Sequence, residues 1–208
     1  MRKWLPRILA AVAIVFAAVW AFYPWVSQLS MLTPCEAELH TYERKIGMSE
    51  PKLVQAYDML AKDPTDQNQL AEVIKQSKAV LATNEEFWVT GMPQPIWKRF
   101  MYKIRFMEPP AAYLPTWPGP KTDEGKVMMA GEREDTATLM AYAWNQKEDG
   151  NAMASQLLAT FDDGSPATQE EVLATADVVA TAKASKGSAE YVYKKWKGNY
   201  RPPLSIFR

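Results

Sequence analysis

Apolar positions follow two rhythms along this chain, unbroken near the N-terminus and helically spaced beyond it. From Ile8 to Val26 the sequence runs ILAAVAIVFAAVWAFYPWV without a charged side chain. At about 1.5 Å of rise per residue, about twenty such residues cross a hydrocarbon layer about 30 Å thick. Trp4 stands at one end of the run, with Trp20, Tyr23 and Trp25 at the other, where amphipathic rings suit the two headgroup regions. Arg2, Lys3 and Arg7 precede the run, and Glu36 and Glu38 are the first charges after it. The positive-inside rule then puts Met1 in the cytoplasm and the bulk of the chain on the periplasmic side of an inner (cytoplasmic) membrane. A cleaved signal peptide ending at Val19-Trp20-Ala21 is the alternative. The apolar run continues past Ala21 to Val26, longer than a signal peptide needs, which favours a retained single-pass anchor.

Beyond the anchor the period is that of amphipathic helices. Pro34 to Gly47 alternates acidic and basic side chains and reads as a helix continuing from the membrane. Ser49 then has the character of an N-cap, with Pro51 in a first turn that can spare its N–H. Leu53, Val54, Tyr57, Leu60 and Ala61 recur at helical spacing until Asp63-Pro64. Thr65 or Asp66 caps the next helix, with Leu70, Val73, Ile74, Val80 and Leu81 as its stripe; the short connection makes the two antiparallel neighbours. Phe87 to Pro95 is turn-like. After the prolines a helix is expected over 132–147, with a break at Asp149-Gly150-Asn151 and a second helix over 152–161. Ser165-Pro166, and Thr168 with Glu171 three residues on, mark a strong helix start. Val172, Leu173, Ala176, Val179 and Ala180 supply that helix's stripe, and Gly187 closes it. Ser188 opens a last short helix through Trp196, before an irregular tail.

Two segments depart from this rhythm. Ile96 to Met107, IWKRFMYKIRFM, sets Ile96, Trp97, Phe100, Met101, Ile104 and Met107 on one helical arc. Lys98, Arg99, Lys103 and Arg105 fill much of the rest. Such a helix can lie on an anionic bilayer, dock to an acidic and apolar partner, or show its basic side to water while its apolar side joins the core. The crowded aromatics also allow a strand. Glu108 to Pro120 then carries five prolines and is expected to run extended over the surface or against a partner, with Tyr113 and Trp117 in need of cover.

Composition supports a packed domain: 48% hydrophobic and 12% aromatic, with eight Trp, is too apolar for a disordered chain. Three of the 24 basic residues precede the anchor, leaving 21 against 24 acidic ones, so no basic surplus points to nucleic acid. One cysteine, Cys35, and one histidine, His40, leave no intramolecular disulfide and make a closed Cys/His zinc site implausible. Their C-x4-H spacing suits neither shared metal binding nor haem attachment, which needs C-x-x-C-H. Nucleophile-elbow, P-loop, dinucleotide-binding and H-E-x-x-H patterns are missing. The carboxylate pairs Glu85-Glu86, Asp162-Asp163 and Glu170-Glu171 fall at element ends, where caps and turns explain them.

Residues Pro115 to Trp144 resemble the closing part of class I c-type cytochromes. In that family a Pro/Gly-rich loop brings a Met to the haem iron ahead of a final helix with a Leu-x-Ala-Tyr pattern. The resemblance gives Met128 or Met129 the axial place, and Leu139, Ala141 and Tyr142 the helix pattern. It covers about a seventh of the chain.

The expectation is therefore an all-α protein: a single N-terminal transmembrane helix followed by a mainly helical extracytoplasmic domain with a proline-rich extended segment. Its parts are a cytoplasmic N-terminus and anchor (1–30), a helical hairpin plus basic amphipathic segment (31–107), a proline-rich linker (108–121), and a C-terminal helical region with an irregular tail (122–208). The function expected is that of a non-catalytic accessory or scaffold subunit of a membrane assembly. Its partners would be other subunits and the bilayer, met by residues 8–26 and 96–107, with no nucleic acid and no cofactor. Trp97, Lys98, Arg99, Phe100, Lys103, Arg105 and Trp117 are the candidate interaction residues. The alternative is a membrane-anchored electron-transfer protein with a degenerate cytochrome-like C-terminal part.

Overall fold

The computed structural model describes residues 10–15, 34–90 and 114–199. It is all-α: the described residues hold no strand. The elements are α1 (Pro34–Leu60), α2 (Gln67–Glu85) with a π turn over Glu86–Thr90, a 3-10 turn (Leu114–Thr116), α3 (Asp123–Ala130), α4 (Glu134–Phe161) and α5 (Gln169–Asn199). Residues 10–15 are helical as well. The rest of the expected anchor, residues 8–9 and 16–26, lies outside the described residues. Among the described residues no helix is long and apolar enough to cross a membrane.

The four long helices run up, down, up and down. α1 packs on α2, α2 on α4 and α4 on α5, and α1 meets both α4 and α5 inside the bundle. Tyr42 bonding Asn84 sets α1 antiparallel to α2, and Trp196 bonding Thr136 sets α5 antiparallel to α4. The expected antiparallel pairing of the first two helices is what forms. One continuous core results, from Cys35 and Leu39 through Leu53, Val73, Met140 and Leu157 to Val179 and Trp196.

Several helix ends form as the sequence indicates. Asp66 caps α2, accepting from the backbone N–H groups of Asn68 and Gln69 at 2.9 and 3.3 Å. Thr168 and Glu171 make a reciprocal capping box before α5: Thr168 N–H donates to Glu171 at 2.8 Å, and Glu171 N–H to the Thr168 hydroxyl at 3.3 Å.

The expected breaks inside helices do not occur. α1 runs through Ser49 and Pro51. Ser49 caps nothing; its hydroxyl turns back to the carbonyl of Ile46, at 3.5 Å. The buried stripe Leu39, Tyr42, Ile46, Ser49, Leu53, Ala56, Leu60 keeps its phase across the proline, and that packing outweighs the lost hydrogen bond. α4 likewise passes through Gly150, whose missing side chain admits a carboxyl from α1. α5 passes Gly187 and continues to Asn199. Its buried face is Val172, Thr175, Val179 and Ala182, so Leu173, Ala176 and Ala180 point outward, one step off the expected stripe.

The proline-rich run, where described, is no surface strap. Leu114 and Trp117 are wholly buried, Gly119 turns the chain at φ +94° against the Trp144 ring, and Thr122 caps α3. Apolar burial, worth about 1.5–3 kcal/mol for a large side chain, draws this stretch inward even though proline bars it from regular helix. Phe87 and Trp88 do the same for the described part of the expected turn after α2, which is a π turn over Glu86–Thr90 with both rings in the core, residues 91–95 lying outside the described residues.

Candidate functional site

Two short connections, residues 61–66 and 162–168, close one pole of the bundle. At the other pole lie the start of α1, the end of the π turn, the start of the 3-10 turn and the end of α5. There the chain leaves or rejoins the described residues at Pro34, Thr90, Leu114 and Asn199. The π turn packs directly on the 3-10 turn, so the two ends of the segment 91–113 stand side by side.

Buried carboxylates on α1 hold this pole together. Glu38 accepts the backbone N–H of Leu114 at 2.7 Å, fixing the place where the chain returns. Glu36 accepts the hydroxyl of Thr136 at 3.1 Å, and the Trp196 indole N–H reaches the same hydroxyl at 3.4 Å. Arg133 lies 3.8 Å from Glu36, balancing its charge. One buried turn of α1 thus ties down α4, α5 and the 3-10 turn.

Between them lies an aromatic cluster. Trp88 sits edge-on to Tyr42, Phe87 and Trp144, and Trp117 sits edge-on to Trp144 at 5.2 Å between centroids. The Trp117 indole N–H donates to the carbonyl of Gly125 at 3.1 Å. Lys147 places its ammonium 3.8 Å from the centre of the Trp144 ring, a cation–π contact on the cluster's solvent side. Of the seven residues expected to interact, Trp117 is therefore covered by the chain's own aromatics. The other six, Trp97, Lys98, Arg99, Phe100, Lys103 and Arg105, lie outside the described residues, within the segment whose two ends the cluster holds.

The groups with conventional chemistry are quiet. Burial, then the charges of Glu132, Glu38 and Glu36, push the Cys35 thiol well above its ordinary range, which disfavours the thiolate. His40 stands at 6.0 Å from the Tyr193 ring, and burial holds its pKa below the usual value, with Lys197 and Arg44 adding to the effect. Among the described residues no group of three or more His, Cys, Asp or Glu side chains could hold a metal ion. Met128 and Met129 sit on helix α3, half-buried against the core, where the cytochrome resemblance implies a loop; Leu139 is a core residue and Tyr142 is partly exposed. Beside the pole an open groove of about 940 Å³ runs between α4 and α5, past Arg133, Asp135, Tyr142, Gly187 and Tyr191.

The sequence held one signal that periodicity alone passes over. Glu36, Glu43 and Glu50 are spaced by seven, so they share the inward side of α1, with Glu36 and Glu50 each 2% exposed. Charged residues at core positions are a stronger pointer than apolar ones, because each needs a partner.

No known protein family, curated protein or solved structure matches this chain.

Proposed function

We propose that this chain is a non-catalytic accessory or scaffold subunit of a membrane-bound assembly, anchored by residues 8–26 with its helical domain on the periplasmic side. The single observation that carries this reading is that the start of α1, the π turn, the 3-10 turn and the end of α5 lie at one pole. The N-terminal apolar run joins the bundle at Pro34, and the basic aromatic segment leaves and returns at Thr90 and Leu114 on the same pole. A segment tethered there is within reach of the bilayer that would hold the anchor. Supporting it, Val12, Ile14 and Val15 in the described helical stretch have their side chains exposed, as apolar residues facing lipid would be. The firm core beneath the pole, with its inert cysteine and capped aromatic cluster, suits a platform for docking better than a reaction centre.

The test is co-purification. Full-length protein extracted in mild detergent brings its partner subunits with it, and Lys98→Gln, Arg99→Gln, Lys103→Gln and Arg105→Gln together release them while the helical circular dichroism stays unchanged. A quadruple variant that keeps the same partners and the same affinity for anionic vesicles removes the main support for this reading.

A further inference from the structure

Glu50 lies in the middle of α1, away from the pole, and is 2% exposed. Its carboxyl fills the space above Gly150 on α4, where a Cβ would stand 2.5 Å from Oε1. Its other oxygen accepts the Gln146 side-chain N–H at 2.6 Å. Gln146 is as buried as Glu50, and its own amide oxygen has no hydrogen-bond partner among the described residues. A buried amide oxygen without a donor is destabilising, and a buried carboxylate without a cation is more so. Among the described residues no basic side chain is in ion-pair contact with Glu50. Lys186 on α5 acts on it only through space and is bound to Glu190, and Glu43 on α1 and Glu190 add negative charge. From α2 the neutral Asn84 stands beside Gly150, bonded to Tyr42 and to Asn151, and the buried Tyr42 phenol on α1 feels the Glu50 charge.

We propose that Glu50 and Gln146 form an acid–amide latch between α1 and α4, closed while Glu50 carries its proton and loosened when the proton leaves. The protonated carboxyl accepts from the Gln146 N–H and supplies an O–H for the amide oxygen that lacks a donor, leaving both groups satisfied. The ionised carboxylate offers no donor, leaves that oxygen unpaired and buries a charge. Burial raises the Glu50 pKa to about 7, against the smaller opposing effect of the Gln146 hydrogen bond. Below the ordinary carboxyl value both folded and unfolded chains hold the proton, and the latch contributes in full. As pH rises through about 7 the folded protein must give it up, and the contribution is lost. The bundle's grip between α1 and α4 therefore responds to pH in the neutral range, independently of what docks at the pole.

The experiment is denaturant unfolding of full-length protein in mild detergent, parent against Glu50→Gln. Relative to the variant, the parent's folded-to-unfolded ratio falls on the order of tenfold between about pH 5.5 and about pH 8.5. Identical pH profiles overturn the latch. Should Glu50→Gln fail to fold, infrared spectra of the parent decide: a buried carboxylic-acid carbonyl band is present at the lower pH and gone at the higher. Absence of that band at the lower pH, or its loss on Glu43→Gln, overturns the proposal, since the proton is then missing or held elsewhere.

Discussion

Gly150 and Gly187 are both helical glycines, and their surroundings give them opposite roles. At Gly150 an added methyl meets the Glu50 carboxyl at 2.5 Å, whereas at Gly187 it meets nothing within 4 Å. Alanine in a helix interior gains about 1 kcal/mol over glycine. Gly187→Ala should therefore stabilise the protein by up to about 1 kcal/mol. Gly150→Ala forces the Glu50 carboxyl or the helices apart, at an overpacking cost of about 1–3 kcal/mol, and should be net destabilising. Denaturation midpoints of the two variants check the opposite signs. Trp117 is a second case in which context reverses a first impression. An exposed interaction residue would be silent to stability, but a ring that is 2% exposed and bonded to Gly125 is structural. Trp117→Ala should cost about 3–5 kcal/mol.

At the scale of elements, the helix starts carry local codes that need no tertiary help. Asp66 and the Thr168–Glu171 pair satisfy backbone donors that would otherwise be orphaned. Asp66→Ala and Thr168→Ala should each lower stability by about 1 kcal/mol, read as a shifted denaturant midpoint at unchanged slope. Surface ion pairs between helices, such as Lys78 with Asp162 at 2.9 Å, should add well under that, because solvent and side-chain entropy offset the attraction. Helix ends were thus legible, while helix continuity was not. A new helix start at Ser49 and breaks at Gly150 and Gly187 were all expected, and each point is carried through by a buried stripe in register on both sides.

For the whole molecule, the arrangement of chain ends makes topology the natural test. With the anchor retained, a reporter fused after Arg208 is active only outside the cytoplasm, and the chain resists carbonate extraction. A mature protein whose intact mass starts at Phe22 would instead mean a cleaved signal and a domain free of the bilayer. The pole that receives Pro34, Thr90, Leu114 and Asn199 is tied by Glu36 and Glu38, so their loss should be felt there first. Glu38→Gln weakens the charge-assisted bond to Leu114 N–H and should raise hydrogen exchange at that amide before the core helices respond.

Composition and periodicity by themselves determined that this chain is helical, that its first two bundle helices form a hairpin, and where caps start α2 and α5. Those features depend on interactions within a few residues, and the one-dimensional pattern contains them. The six candidate residues from Trp97 to Arg105 stand out for the same reason, as a local run of basic and aromatic side chains. Only the tertiary structure decided that Trp117 is core, that Gly150 belongs inside a helix, and that Glu36, Glu38 and Glu50 face inward to partners 76 to 100 positions away. Such pairings follow from which helix lies beside which, and a carboxylate's spacing reveals its face without revealing what waits opposite. That the start of α1, the π turn, the 3-10 turn and the end of α5 share one pole is likewise a property of the up-down-up-down packing, since no local sequence records the direction in which a helix comes to run.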